Sequence, residues 1–141
     1  MQQVFARAMA RNVFLGSAAF FFVIYLVLTV QTWHEIPLRD HAARMTAAVR
    51  EGKYLVDVND CQGCHTINGE GSYFAPELDD AYTRRGPDFL RAWIMAQPTG
   101  VAGRRQMPDF HLSPTQVDDI VAYLQWLSEV DTNHWPPNIQ G

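Results

Sequence analysis

The chain has 141 residues, 48% of them hydrophobic and 18% charged, with 11 Lys and Arg against 15 Asp and Glu. That length supports one folded domain plus a small appendage. The net charge of −4 argues against a nucleic-acid partner, which calls for a basic face.

Residues 13–30, VFLGSAAFFFVIYLVLTV, contain no charge. At about 1.5 Å per residue this run crosses most of a hydrocarbon layer roughly 30 Å thick. Gln31, Thr32 and Trp33 complete the span, and Trp33 suits the membrane interface. Arg7 and Arg11 precede the run without acidic neighbours, whereas Glu35, Arg39 and Asp40 follow it. The positive-inside rule therefore predicts a cytoplasmic N-terminus and an exported remainder, with residues 1–33 as N-terminus and transmembrane anchor. A cleavable signal peptide shares the basic start, but the run exceeds the about 7 to 15 residues of a typical h-region, and TVQTWHEIP has no small-x-small site. An uncleaved anchor is the expectation. A buried core helix would not be apolar all round in so small a domain.

Residues 34–43, with Pro37, read as a juxtamembrane linker. A helix is predicted over about 42–59, with Val49, Gly52 and Val56 on one face. Residues 66–85, rich in Gly, Pro and aromatics, read as ordered loop. PDFLRAWIMAQ, from Pro87, reads as a short helix ending before Pro98, and residues 98–112 as loop. Ser113, Pro114 and Gln116 make a capping box for a last helix, Leu112 and Val117 a hydrophobic staple, and Val117, Ile120, Val121, Leu124 and Leu127 its apolar stripe. Tyr54, Tyr123 and Trp126 are expected to pack where the first and last helices of the domain cross. No alternating strand pattern is evident, so the fold class is all-α.

The two cysteines sit in CQGCH, residues 61–65. A zinc site would have to recruit two of five scattered histidines, and a thioredoxin-like dithiol needs a βαβ pattern; both are the weaker readings. C-x-x-C-H is the attachment signature of one covalent haem c: Cys61 and Cys64 form the thioethers and His65 becomes an axial iron ligand. Covalent attachment of this kind belongs outside the bacterial cytoplasm, in agreement with the anchor's orientation. Met107, in the loop RRQMPDF, is the expected second axial ligand, with Met95, His111 or an open position as alternatives. Met95 reads rather as a packing residue of the short helix. His65 needs an acceptor for its other ring N–H; the Pro76-Glu77-Leu78 step resembles that of small cytochromes c, which implies the Pro76 carbonyl as acceptor and Leu78 against the haem. Arg84, Arg85, Arg104 and Arg105 are candidate partners of the haem propionates. Lys53 is the one lysine, so the lysine-rich docking face of many small soluble electron carriers is absent.

The order of helix, C-x-x-C-H, proline loop, methionine loop and last helix resembles class I cytochrome c over about residues 44–130. CHTINGEGSYFAPEL, RRG, GRRQMPDFHLS, QVDDIVAYLQWLS and DTNHWPPN, with Ala10, Arg11 and Asn12 before the anchor, are similar to the small cytochrome c subunit of bacterial nitric oxide reductase. The segment after RRG is shorter than that family usually has. The resemblance implies a heterodimer with a large membrane subunit that holds haem b, haem b3 and a non-haem iron, where two NO become N2O. It implies that electrons come from a soluble cytochrome c or a cupredoxin and leave to haem b. It implies a single-pass protein of the bacterial inner membrane with a periplasmic haem domain. It further implies that residues 131–141 pack on the large subunit, and that Gly71 and Tyr73 lie near a calcium ion at that interface. A membrane-tethered cytochrome c serving another enzyme and a haem-based sensor are the alternative functions.

Overall fold

The computed structural model describes residues 2–132. The WPPN motif and the expected packing of residues 133–141 lie outside the described residues. The chain divides into two compact units, Met1–Leu38 and Arg39–Gly141.

The first unit is helix α1, whose full extent is Gln2–Arg39. It is long and apolar enough to cross a membrane, and its apolar window is exposed throughout. Its serine and threonine hydroxyls are satisfied within the helix, as a lipid environment demands: Ser17 donates to the Phe14 carbonyl at 3.0 Å, Thr29 to Tyr25 at 2.8 Å and Thr32 to Leu28 at 2.8 Å. The helix continues through Pro37, so most of the segment expected as linker is helical. A proline this close to a helix end removes one hydrogen bond without breaking the rest.

The second unit begins with a 3-10 turn at Ala42–Arg44 and then α2, Ala47–Val58, capped by Thr46, whose hydroxyl accepts from the Val49 N–H. Val49, Gly52, Leu55 and Val56 form its buried face. The last helix, labelled α5, spans Pro114–Leu127 and carries the complete capping box of Ser113 and Gln116. Its buried residues, Val117, Ile120, Val121, Tyr123, Leu124 and Leu127, pack against α2 to make the core. Helices α3, Ala81–Arg85, and α4, Pro87–Ala96, also pack on α5.

Several expectations need correction. Residues 66–85 are not all loop: Thr66–Ile67 (β1) pairs antiparallel with Glu70–Gly71 (β2), and α3 follows. Asn68 and Gly69 both have positive φ, 49° and 81°, which is the hairpin chemistry of an Asn-Gly turn. Tyr54 is 58% exposed because it lies across α2 from Gly52 and Val56, while Tyr123 is buried and stacks on Trp126 at 6.1 Å. Met95 is 45% exposed; Leu90, not Met95, is the buried residue of α4.

Candidate cofactor site

The cysteine motif is one tight turn. Asp60 enters it in the left-handed region, φ 50°, and Cys61–Gly63 is 3-10 helical. The Cys61 carbonyl accepts from both the Cys64 N–H, 3.2 Å, and the His65 N–H, 2.8 Å. Two thiols and an imidazole are thus gathered on one short loop, and all three line the same cleft. The residue after β2 pins the loop: the Ser72 N–H reaches the carbonyls of Gln62 and His65, each at 3.1 Å. This approach is why position 71 is glycine. A Cβ there would lie 2.3 Å from the His65 carbonyl oxygen, and φ is +111°.

The His65 ring is oriented as a ligating imidazole requires. Nδ1 lies 2.5 Å from the Pro76 carbonyl oxygen. A carbonyl only accepts, so Nδ1 carries the proton and Nε2 keeps its lone pair for a metal. Burial, reinforced by Asp60, pushes the Cys61 thiol up to about 11. That is opposite to the depressed pKa of a reactive C-x-x-C dithiol.

The cleft has a volume of about 490 Å³ and also takes Phe74, Pro76, Trp93, Arg105, Met107, Pro108 and Phe110 into its wall. A mostly apolar cleft of this size suits a large planar cofactor. His65 and Met107 are the expected axial pair, and both line it. The methionine loop is braced from below: Gln97, buried at the end of α4, donates from Nε2 to the Pro108 carbonyl at 2.8 Å. Gln106 holds the loop's other arm through the Val101 N–H and carbonyl.

The four arginines separate. Arg105 lines the cleft, donates to the Phe74 carbonyl at 3.0 Å and lies over the Phe74 ring at 5.1 Å. Arg84 is committed elsewhere, to Glu77 and Asp80. Arg85 covers the Phe89 ring at 5.6 Å, and neither it nor Arg104 lines the cleft. Leu78 packs on the core beside the cleft and is not in its wall. His111 points its ring at Asp109, 3.2 Å away, and is outside the cleft. Tyr73 is exposed. Sequence reasoning missed Trp93, Phe74 and Phe110 in the wall, and it missed the buried cluster of Glu77, Asp79 and Arg84. The run PELDD followed by RR was a signal for that cluster.

Residues 49–128 match the cytochrome c family. The full chain is 48% identical over 146 residues to the C subunit of nitric oxide reductase from Stutzerimonas stutzeri, covering 100% of both chains. It is 40% identical over 149 residues to the corresponding protein of Cereibacter sphaeroides and 40% identical over 152 residues to that of Paracoccus denitrificans, again covering 100% of each chain.

Proposed function

The chain belongs to the family of cytochromes c that form the C subunit of nitric oxide reductase, and from that premise we propose that it is the electron-accepting subunit of the reductase complex. It takes electrons from a soluble cytochrome c or cupredoxin and delivers them to haem b of the catalytic subunit, where two NO become N2O. When bound, the haem supplies a one-electron iron couple. The chain's own residues do the rest. Cys61 and Cys64 tether the cofactor, His65 offers Nε2 with its tautomer set by Pro76, and Met107 offers a thioether. Phe74, Trp93 and Phe110 exclude water, and Arg105 offers a cation at the rim. The observation that carries the reading is the His65 to Pro76 hydrogen bond in the cleft that also holds both thiols and Met107.

In this proposal α1 anchors the protein in the bacterial inner membrane with its N-terminus cytoplasmic and residues 44–130 periplasmic. Residues 34–43 join the two parts, and residues 131–141 pack on the catalytic subunit. What supports the orientation is the placement of Arg7 and Arg11 before the apolar run. Gly71 and Tyr73 contribute to a calcium ion at the subunit interface. One backbone carbonyl and one exposed phenol are only a small part of the 6 to 8 oxygens that calcium takes, so most ligands come from the catalytic subunit.

Purification of the membrane complex in mild detergent tests the reading. Co-purification with a haem b subunit and NO consumption driven by reduced cytochrome c are the expected outcomes; recovery of this chain alone, with no NO consumption, refutes it. Met107→His should lower the reduction potential of the c haem, because His/Met ligation sets a higher potential than two nitrogen ligands.

A further inference from the structure

We infer that Arg84 and Glu77 are positioning residues for the axial histidine, holding the Pro76 carbonyl against His65 from a buried ion cluster. The inference rests on the reading of His65 as an iron ligand. The carbonyl that receives the His65 N–H belongs to the peptide unit joining Pro76 to Glu77. A planar peptide turns as one body, so holding Glu77 beyond its N–Cα bond limits how far that carbonyl can turn.

Glu77 is held on several sides. Arg84 Nη2 donates to its backbone carbonyl at 2.9 Å, and Arg84 Nη1 pairs with its Oε1 at 3.1 Å. Its Oε2 accepts from the Asp79 N–H at 2.9 Å. The next residues extend the tie to the hairpin: the Leu78 N–H bonds the Thr66 carbonyl at 2.9 Å, and Asp79 Oδ1 accepts from the Asn68 N–H at 2.8 Å. Arg84 Nε also lies 3.0 Å from Asp80 Oδ1, an ion pair whose geometry is not that of a hydrogen bond. The Arg84 and Glu77 side chains are 14% and 6% exposed, so solvent screens this pair little.

Such a site needs arginine. The guanidinium fork spans a backbone carbonyl and two carboxyl groups at once, which a lysine ammonium does not reproduce. An imidazole whose N–H is donated to a firmly held carbonyl is a more basic ligand, and a more basic ligand favours ferric over ferrous iron. Loosening the carbonyl therefore raises the reduction potential.

The test uses Arg84→Lys in the full-length holoprotein, isolated with its partner subunit in mild detergent. The substitution keeps the charge and removes the fork. A shift of about tenfold in the redox equilibrium of haem c toward the reduced form, ~59 mV for one electron, is expected, with changed g-values in the ferric electron paramagnetic resonance spectrum. Arg91→Lys, at an exposed ion pair, should move neither. An Arg84→Lys protein that carries haem with wild-type potential and g-values overturns the inference. Should that variant fail to fold, Glu77→Gln keeps size and one acceptor oxygen. Changed g-values in it support the inference, and unchanged ones overturn it. The parent reading fails separately, if wild-type protein lacks covalent haem or histidine ligation.

Discussion

At the scale of the residue, Glu77 carries the clearest consequence of burial. Desolvation, with Asp80 beside it, pushes its carboxyl up from 4.5 to about 7, although Arg84 pulls the other way. Below about pH 4.5 the folded and unfolded chains both hold this proton. Between about 4.5 and 7 only the folded chain does, so stability is lost as pH rises through that window and levels off above it. Asp79, also raised by burial, acts in the same direction. Urea denaturation of the holoprotein should therefore show a midpoint that declines from about pH 5 to pH 7.5, and Glu77→Gln should flatten the decline. Gln97 makes a second residue-scale case. Its Nε2 serves the Pro108 carbonyl while its buried Oε1 has no hydrogen-bond partner among the described residues. Gln97→Leu would remove that hydrogen bond, worth about 1 kcal/mol, and free the Met107 loop. Faster carbon monoxide binding to the reduced holoprotein is the expected signature; an unchanged rate would remove Gln97 from the support of Met107.

At the scale of the element, the crossing of α2 and α5 is the joint on which the domain depends. Gly52 lies so close to α5 that a Cβ would sit 2.0 Å from the Asp119 carbonyl oxygen and 2.5 Å from its carbon. Backbone on both sides cannot yield as a side chain can. Gly52→Ala should therefore cost about 3 kcal/mol, the upper end of ordinary overpacking, read as a lowered melting temperature and reduced haem incorporation. Ser113→Ala removes one acceptor from the capping box and should cost only about 1 kcal/mol, measured in the same way. Both elements were legible in the sequence, because the Ser-Pro-x-Gln start and the apolar stripe of α5 are local patterns and the 49, 52, 56 spacing of α2 is a helical face. The hairpin and α3 were not. Five residues, Ala81–Arg85, are too few to show a period, and their helix is held by the ion cluster and by packing on α5. The Asn68-Gly69 turn carried a readable signal, but strands of two residues have no alternation to accompany it.

At the scale of the whole molecule, the two units differ in what stabilises them. Helix α1 has its serine and threonine hydroxyls satisfied internally and leaves its apolar side chains exposed, a composition that hydrocarbon suits and water does not. The second unit carries its own core. A chain starting at Arg39, exported to an oxidising compartment with the haem-attachment machinery, should fold, acquire covalent haem and stay in the aqueous phase. The full chain should partition with membranes after a carbonate wash. Membrane retention of the short form would show that more than α1 binds the bilayer.

The sequence by itself determined the apolar span, the haem-attachment motif, the helix caps and the membership of a family, since each is written in residues close together along the chain. Only the tertiary structure decided which distant residues serve the site. Arg84 and Arg85 are neighbours in sequence, yet one lies within a buried cluster behind His65 and the other covers an exposed ring. Phe74 and Arg105 are 31 residues apart and meet at the mouth of the cleft. Side-chain chemistry alone does not distinguish one arginine from the next; the burial and the fixed partners that do so arise only when α3, the hairpin and the methionine loop pack around the domain's core.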